Sequence, residues 1–348
     1  MTSVPDWPAV RGLSVAQSLE AKHGRPTLNT ASYKGRTALI TGANGAYGSR
    51  AAKLFARREV DTLLLVDVRD CTGVKEAIEA ELKSEGRKVP RILVRKIDMM
   101  TFAGCMELAK HLRELDYLDH ALLTAGILSF DCKESPDGWE TTIQVNFLSS
   151  ALVALLVLPA LKSSPGNPNP PVMTFVTSFG VYPASPTMSV PKHGSYLKRL
   201  NNNKPGMAQG HQYGRSKALL LYFTRELAAR CSASSVVPKV TINSADPGSA
   251  WTPLTSANQG MLIPRLIMNF SARDPDIGAV ALVNGVSAPE EGHGQIMQDF
   301  ETAEYPPFME RKSGQVAQKR VWDETRAELE AKVPEIEGVF KMLEVEGR

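Results

Sequence analysis

Tyr213 and Lys217 stand four residues apart in the run Tyr213-Gly-Arg-Ser-Lys217. On a helix that spacing puts both side chains on one face, one turn apart. A phenol titrates near 10 and is a poor base at neutral pH, but an adjacent ammonium favours the phenolate. Taken alone, such a pair is common on solvated helix faces. Far upstream, however, Thr41-Gly42-Ala43-Asn44-Gly45-Ala46-Tyr47-Gly48 follows a β-rich run and opens a helical one, the context that a dinucleotide-binding turn requires. Gly42 permits a tight turn, Gly45 lets backbone approach a pyrophosphate, and Gly48 allows close helix–strand packing beside an anion-binding helix N-terminus. An oxidised nicotinamide ring would add a second positive charge near the phenol. Bringing that phenol to a working value near neutrality takes about 3–4 kcal/mol of differential stabilisation. The two runs together imply proton transfer beside a hydride carrier.

Positioning them requires a sheet. From Gly35 onward, β-rich runs alternate with helical stretches. Strands are expected at Thr37–Thr41, Thr62–Asp67, Arg91–Ile97, Asp119–Thr124, Val172–Thr177 and Val240–Ser244, all nearly continuous in apolar residues, as parallel strands covered on both faces are. Helices are expected at Tyr47–Arg58, Gly73–Glu85, Thr101–Leu115, Trp139–Leu161 and Gln212–Arg230. The length of 348 residues would by itself favour two domains. The alternation argues instead for an α/β fold, one Rossmann-type doubly wound parallel sheet in a single domain over residues 35–310. Residues 1–34 read as an N-terminal arm, 183–211 as an insertion over one rim of the sheet, and 311–348 as a C-terminal helical extension. A helix is expected beyond Asp274, an edge strand near Gln295–Gln298, and a charged helix over Gln315–Leu329.

Composition narrows the class. Hydrophobic residues make up 43% of the chain, enough for a full-sized core. Lys plus Arg exceed Asp plus Glu by only 40 − 37 = 3, with no basic cluster, so nucleic acid is not an expected partner. Cys71, Cys105, Cys132 and Cys231 are scattered without metal-ligand spacing; no metal site is expected, and reduced thiols fit a cytoplasmic protein. The longest apolar run, Ala151–Leu161, contains Pro159 and is too short to span a bilayer.

Further landmarks occur in a telling order. Asp98 follows the third strand, Thr124-Ala125-Gly126 the fourth, and Val176-Thr177-Ser178 ends the fifth; Asp137-Gly138-Trp139-Glu140 and Gln144-Val145-Asn146 lie between, and Asp246-Pro247-Gly248 with Thr252 comes last. Over roughly residues 35–300 the chain resembles the short-chain dehydrogenase/reductase superfamily, nearest its retinol-dehydrogenase-like branch. The resemblance implies four catalytic residues: Tyr213 as proton donor or acceptor, Ser178 as hydrogen-bond partner of the reacting oxygen, Lys217 holding the nicotinamide ribose and lowering the tyrosine pKa, and Asn146 pinning a proton-relay water. It implies dinucleotide contacts from Gly42, Asn44, Gly45, Tyr47, Gly48, Asp67, Asp98, Ala125, Gly126, Tyr213, Lys217, Pro247, Gly248 and Thr252. It also implies pairing as a homodimer or homotetramer through the helices carrying Asn146 and Tyr213, subject to the long C-terminal helix.

The departures are informative. Ala46 replaces a common second glycine, and Thr124 replaces an asparagine, which puts a sheet-stabilising hydrogen bond in question. Phe147 and Ser149 differ from the retinol-like branch, so a retinoid substrate does not follow. Ser178 and Tyr213 are 35 residues apart, so residues 183–211 must fold out and return. Asp67, ending the second strand, favours NAD by accepting ribose hydroxyls and repelling a 2′-phosphate; Arg69 argues for NADP. Tyr182, Met188, Tyr196, Trp251, Leu254 and Met261–Ile263 offer an apolar pocket lining. The expected function is an NAD(P)-dependent oxidoreductase interconverting a secondary alcohol and a ketone on a medium-sized lipophilic or aromatic small molecule, in specialised metabolism. The alternative is the same fold without net redox chemistry, as an isomerase, a dehydratase or a dinucleotide-sensing protein.

Overall fold

Runs such as Thr-Leu-Leu-Leu-Val-Asp must hide both faces, and in the computed structural model they do so as central strands of a single sheet. The structure describes residues 32–129, 133–184, 188–201, 211–250, 252, 272–298 and 301–344. The strands are β1 (Thr37–Thr41), β2 (Thr62–Asp67), β3 (Arg91–Lys96), β4 (His120–Leu123), β5 (Val172–Val176), β6 (Thr241–Asp246), β7 (Ile296–Gln298) and β8 (Glu301–Ala303). Their order is β3-β2-β1-β4-β5-β6-β7-β8, parallel except for the β7–β8 pair. The expected edge strand near Gln298 is therefore not the edge. The short, exposed β8 covers it, a polar stub that blunts further pairing.

Alternate residues feed two apolar layers. Leu39, Leu64 and Val66 enter the larger layer, Ile40, Leu63 and Leu65 the smaller. The smaller layer is closed by α1 (Ala46–Arg57) and α2 (Thr72–Ser84). The larger is closed by α3 (Phe102–Leu112) and α4 (Thr141–Ala160). Although its apolar run looked short, α4 is a continuous 20-residue helix with mean hydropathy 1.9, long enough to cross a membrane. Its most apolar window is 83% buried inside the protein, so other elements already cover the surface that lipid would need.

Beyond β5 come α5 (Val181–Ala184), α6 (Tyr196–Asn201), α7 (His211–Ala233), α8 (Pro275–Gly285), α9 (Pro307–Glu310), α10 (Lys312–Lys332) and α11 (Glu337–Met342). The charged helix α10 lies along α7. Its Trp322 stacks on Phe223, with centroids 5.4 Å apart and planes 18° apart, and meets Phe340 of α11 edge-on. Arg230 sits 4.5 Å over the same indole. Glu324 accepts from Ser195 Oγ and from the Tyr196 and Leu197 N–H groups, at 2.6, 2.9 and 2.9 Å, and so caps α6 from outside. Glu328 accepts from the Trp139 indole at 2.9 Å.

Trp322→Ala should cost about 3–5 kcal/mol, the range for emptying a buried aromatic site. In urea unfolding, exposed Val316→Ala should change stability by less than about 0.5 kcal/mol. Equal midpoints for the two variants would show that α10 does not stabilise the core.

Candidate active site

The strand order reverses between β1 and β4, and the loops leaving these two strands meet above the gap. Gly42 turns there at φ +66°, and a Cβ on it would lie 2.8 Å from Ala125 N and from Thr124 Oγ1. A side chain at 42 would hold the loops apart. Thr124 donates its hydroxyl to Thr41 O at 2.6 Å, and Ala125 N–H donates to Thr41 Oγ1 at 3.3 Å. The tie left in question by the missing asparagine is thus made by a shorter side chain. Gly48 is still more constrained, since a Cβ there would fall 2.2 Å from Gly42 O. Helix α1 begins behind Gly45 with no acidic residue in its first turn, leaving its positive end unopposed.

These loops frame a cleft of about 370 Å³. Gly42, Asn44, Gly45, Tyr47, Gly48, Asp67, Asp98, Ala125, Gly126 and Thr252 all line it. Val68, Arg69, Met99, Met100, Ile127 and Val145 line it as well; as ordinary apolar or loop residues, most of these carried no signal in the sequence. Pro247 and Gly248 stand outside the lining. Tyr47 reaches across to them, donating to Gly248 O at 3.0 Å, and burial pushes its phenol far up, so it stays a donor strut. The bare backbone at Gly42 and Gly48 and the open helix end fit a pyrophosphate.

Asp67 is 7% exposed and its carboxylate is already engaged. Oδ2 accepts from Asn44 N–H at 3.0 Å, and Oδ1 accepts from Arg69 N–H at 3.0 Å and Arg69 Nε at 3.3 Å. Asn44 donates its side-chain amide to Asp70 O at 2.7 Å, tying the glycine turn to the β2–α2 loop.

At the inner end of the cleft the four expected polar side chains converge. Residues 144–149 of α4 form a wider π-helical turn, which presents Asn146 inward. Its Oδ1 accepts from Ile127 N–H at 2.7 Å and its Nδ2 donates to Ile127 O at 2.8 Å. Nδ2 also lies 3.1 Å from Ser216 Oγ, whose hydroxyl donates to Tyr213 O at 2.7 Å. Ser216, unassigned in the sequence, therefore links Asn146 to the first turn of α7. Lys217 Nζ donates to Val176 O at 2.7 Å and stands 5.9 Å from the Tyr213 ring centroid. A Cβ on Gly126 would meet Asn146 Oδ1 at 3.2 Å and Lys217 Nζ at 3.7 Å. Ser178 Oγ accepts from Gly180 N–H at 3.1 Å, and a Cβ on Gly180 would lie 3.5 Å from Ser178 Oγ and 3.3 Å from the Tyr213 ring.

Burial pushes the Tyr213 phenol up to about 12; the Ser178 hydrogen bond opposes this and the nearby Asp246 carboxylate adds to it. Burial pulls Lys217 down to about 8, against the field of Asp246. The chain's own groups thus keep Tyr213 protonated. The Lys217 ammonium is desolvated and anchored on Val176 O.

The Asp137–Glu140 run builds structure: Asp137 accepts from Phe102 N–H at 2.7 Å, Gly138 turns at φ +86°, and Glu140 caps α4. Two expected pocket residues are core instead. Tyr196 is fully buried, donating to Met188 O at 2.7 Å, and Met188 is 5% exposed; their apolar bulk fills the space under α10. Tyr182 stands near Asp246, while Trp251, Leu254 and Met261–Ile263 lie outside the described residues.

The short chain dehydrogenase family model matches residues 36–168. The short chain dehydrogenase/reductase mfmJ of Annulohypoxylon moriforme is 31% identical over 308 residues, spanning 85% of either chain. A short chain dehydrogenase of Arthrobotrys oligospora is 30% identical over 298 residues, 84% of this chain and 91% of its own. The chain belongs to the short-chain dehydrogenase family. It is an NAD(P)-dependent oxidoreductase of that family. Solved structures share its fold at low identity. Pseudomonas aeruginosa RhlG in its NADP active-site complex gives a TM-score of 0.56 at 20% identity, covering 77% of this chain and 95% of that one. The Escherichia coli oxidoreductase yciK gives 0.54 at 18%, covering 80% and 100%.

In this short-chain dehydrogenase, Gly48→Ala should weaken dinucleotide binding at least about tenfold, since the added methyl must displace the Gly42 carbonyl. Titration of NADH and NADPH fluorescence checks this; unchanged affinity for both would show that the turn is not the pyrophosphate site.

Proposed function

We propose that the protein interconverts a ketone and a secondary alcohol on a medium-sized lipophilic or aromatic molecule, in the cytoplasm and within specialised metabolism. The observation that carries this reading is the convergence of Ser178 and Tyr213 at Gly180, where a Cβ would lie 3.3 Å from the Tyr213 ring and 3.5 Å from Ser178 Oγ, with Lys217 buried beside them. The buried free thiols Cys71, Cys105 and Cys231 support the compartment.

When bound, the nicotinamide dinucleotide supplies or accepts the hydride. Gly42, Gly45 and Gly48 would receive its pyrophosphate, and Asp67, Val68 and Asp98 its adenosine end. Lys217 and Gly126 would stand at its nicotinamide ribose. Ser178 holds the substrate oxygen by donating its hydroxyl, which stabilises charge developing there. Tyr213, kept protonated, donates its phenolic proton to the same oxygen in reduction. Asn146 and Ser216 fix the first turn of α7 so that phenol and ammonium keep their separation. The protonated phenol is the form that reduction draws on.

Cofactor choice turns on Asp67. Its charge disfavours a 2′-phosphate, while its ion pair with half-exposed Arg69 offsets part of that charge. We propose NAD as the preferred partner, with NADP accepted, as the NADP complex of RhlG also supports.

Tyr213→Phe should lower turnover at least about a hundredfold with dinucleotide affinity unchanged. The wild-type reductive kcat/KM should fall above pH about 8, as Lys217 loses its proton. An active variant, or a profile level to high pH, would refute these roles. Asp67→Ala should shift the NADP-to-NAD ratio of kcat/KM toward NADP and Arg69→Ala toward NAD, each by about tenfold. Ratios equal to wild type would remove the pair from cofactor choice.

A further inference from the structure

Directly behind Ser178 the backbone passes through Phe179 and Gly180 into α5. Phe179 is 39% exposed, one of four exposed large apolar side chains among the described residues and the one aromatic ring in that set. Leaving that share of the ring in water forgoes roughly 1 kcal/mol of burial, yet the backbone that carries it is tightly fixed. Gly180 N–H bonds Ser178 Oγ, Val181 N–H bonds Ser178 O at 3.1 Å, and Tyr182 N–H bonds Phe179 O at 3.1 Å. A Cβ on Gly180 would lie 3.3 Å from the Tyr213 ring, and one on Gly214 would lie 2.5 Å from Gly180 O. The turn is therefore pressed against the tyrosine that delivers the proton.

Phe179 has a partner in Tyr182, with ring centroids 5.2 Å apart and planes tilted by 36°. The Tyr182 phenol is raised by burial and by the fields of Asp246 and Glu304.

We propose that Phe179 and Tyr182 form an aromatic shelf beside Ser178 that receives the planar aromatic ring of an uncharged aryl ketone or benzylic alcohol. This deepens the reading under Proposed function and rests on it. A flat π-system meeting these rings in offset or edge geometry gains attraction beyond area burial, which a saturated ring of the same size does not. An apolar shelf suits an uncharged ring, since a charged group laid on it would lose water without gaining a partner. Because Phe179 directly follows Ser178 and Gly180 packs on Tyr213, a ring held on the shelf would bring the carbon bonded to it toward those two residues.

The test compares α-tetralone with α-decalone, which share a two-ring skeleton but differ in aromaticity, using the full chain, Phe179→Leu and Phe179→Trp. In reduction, Phe179→Leu should lower kcat/KM for α-tetralone about tenfold, the scale of one aromatic contact, and change that for α-decalone less than about twofold. Phe179→Trp should restore the aromatic preference, with dinucleotide affinity constant throughout. Equal losses on both ketones, or none, would overturn the shelf. A naphthol titration followed by its fluorescence separates this proposal from the redox reading. If neither ketone turns over while Phe179→Leu weakens naphthol binding about fivefold or more, the shelf stands and the redox reading fails. If naphthol does not bind, or binds both proteins equally, the shelf is removed.

Discussion

The contact between Gly42 and the Thr124–Gly126 loop governs this molecule. Parallel strands β1 and β4 send their following helices to opposite faces, which opens a gap that no side chain fills. The loops above it meet because residue 42 has no Cβ and because Thr124 binds Thr41 O. Once they meet, the end of α1 points into the cleft, and Gly126 is held against Asn146 and Lys217. The dinucleotide site and the proton-transfer site are thus two ends of one backbone arrangement.

The inner end of that arrangement is a problem of polar burial. Asn146, Ser216 and Lys217 are withdrawn from water beside a partly buried Tyr213, and each unmet hydrogen bond there would cost about 1–3 kcal/mol. The chain meets them with backbone: Ile127 serves both ends of the Asn146 amide, Val176 takes the ammonium, and the Tyr213 carbonyl takes Ser216. The π-helical turn in α4 is the local distortion that makes this possible in an otherwise apolar helix. The same burial that orders the site raises the phenol and lowers the ammonium, which leaves the phenol protonated in the free protein.

Much of this was legible in the sequence, for identifiable reasons. β1 and β2 begin and end where expected because turn-forming residues bracket unbroken apolar runs. The glycine turn was legible because its need for bare backbone is local. What depended on distant partners was not. Glu-Thr-Ala at 301–303 has no strand pattern and pairs only because β7 is beside it. Glu324 and Trp322 look like surface and core residues of any amphipathic helix, yet one caps α6 and the other stacks on α7. Met188 and Tyr196 read as pocket residues in the sequence because apolar bulk does not distinguish a lining from a filling. Asp246 sat in a recognised motif, but its influence on Tyr213 and Lys217 arises only from folding.

The central claim is that hydride and proton reach one substrate carbonyl, at the Ser178–Tyr213 end of the cleft. The most direct measurement incubates the protein with reduced dinucleotide deuterated at its transferable position and an aryl ketone, and analyses the product by mass spectrometry. The account predicts an alcohol carrying the deuterium on its carbinol carbon, formed by the native chain and lost in Tyr213→Phe. Recovery of unlabelled ketone from a protein that demonstrably binds the dinucleotide would contradict it.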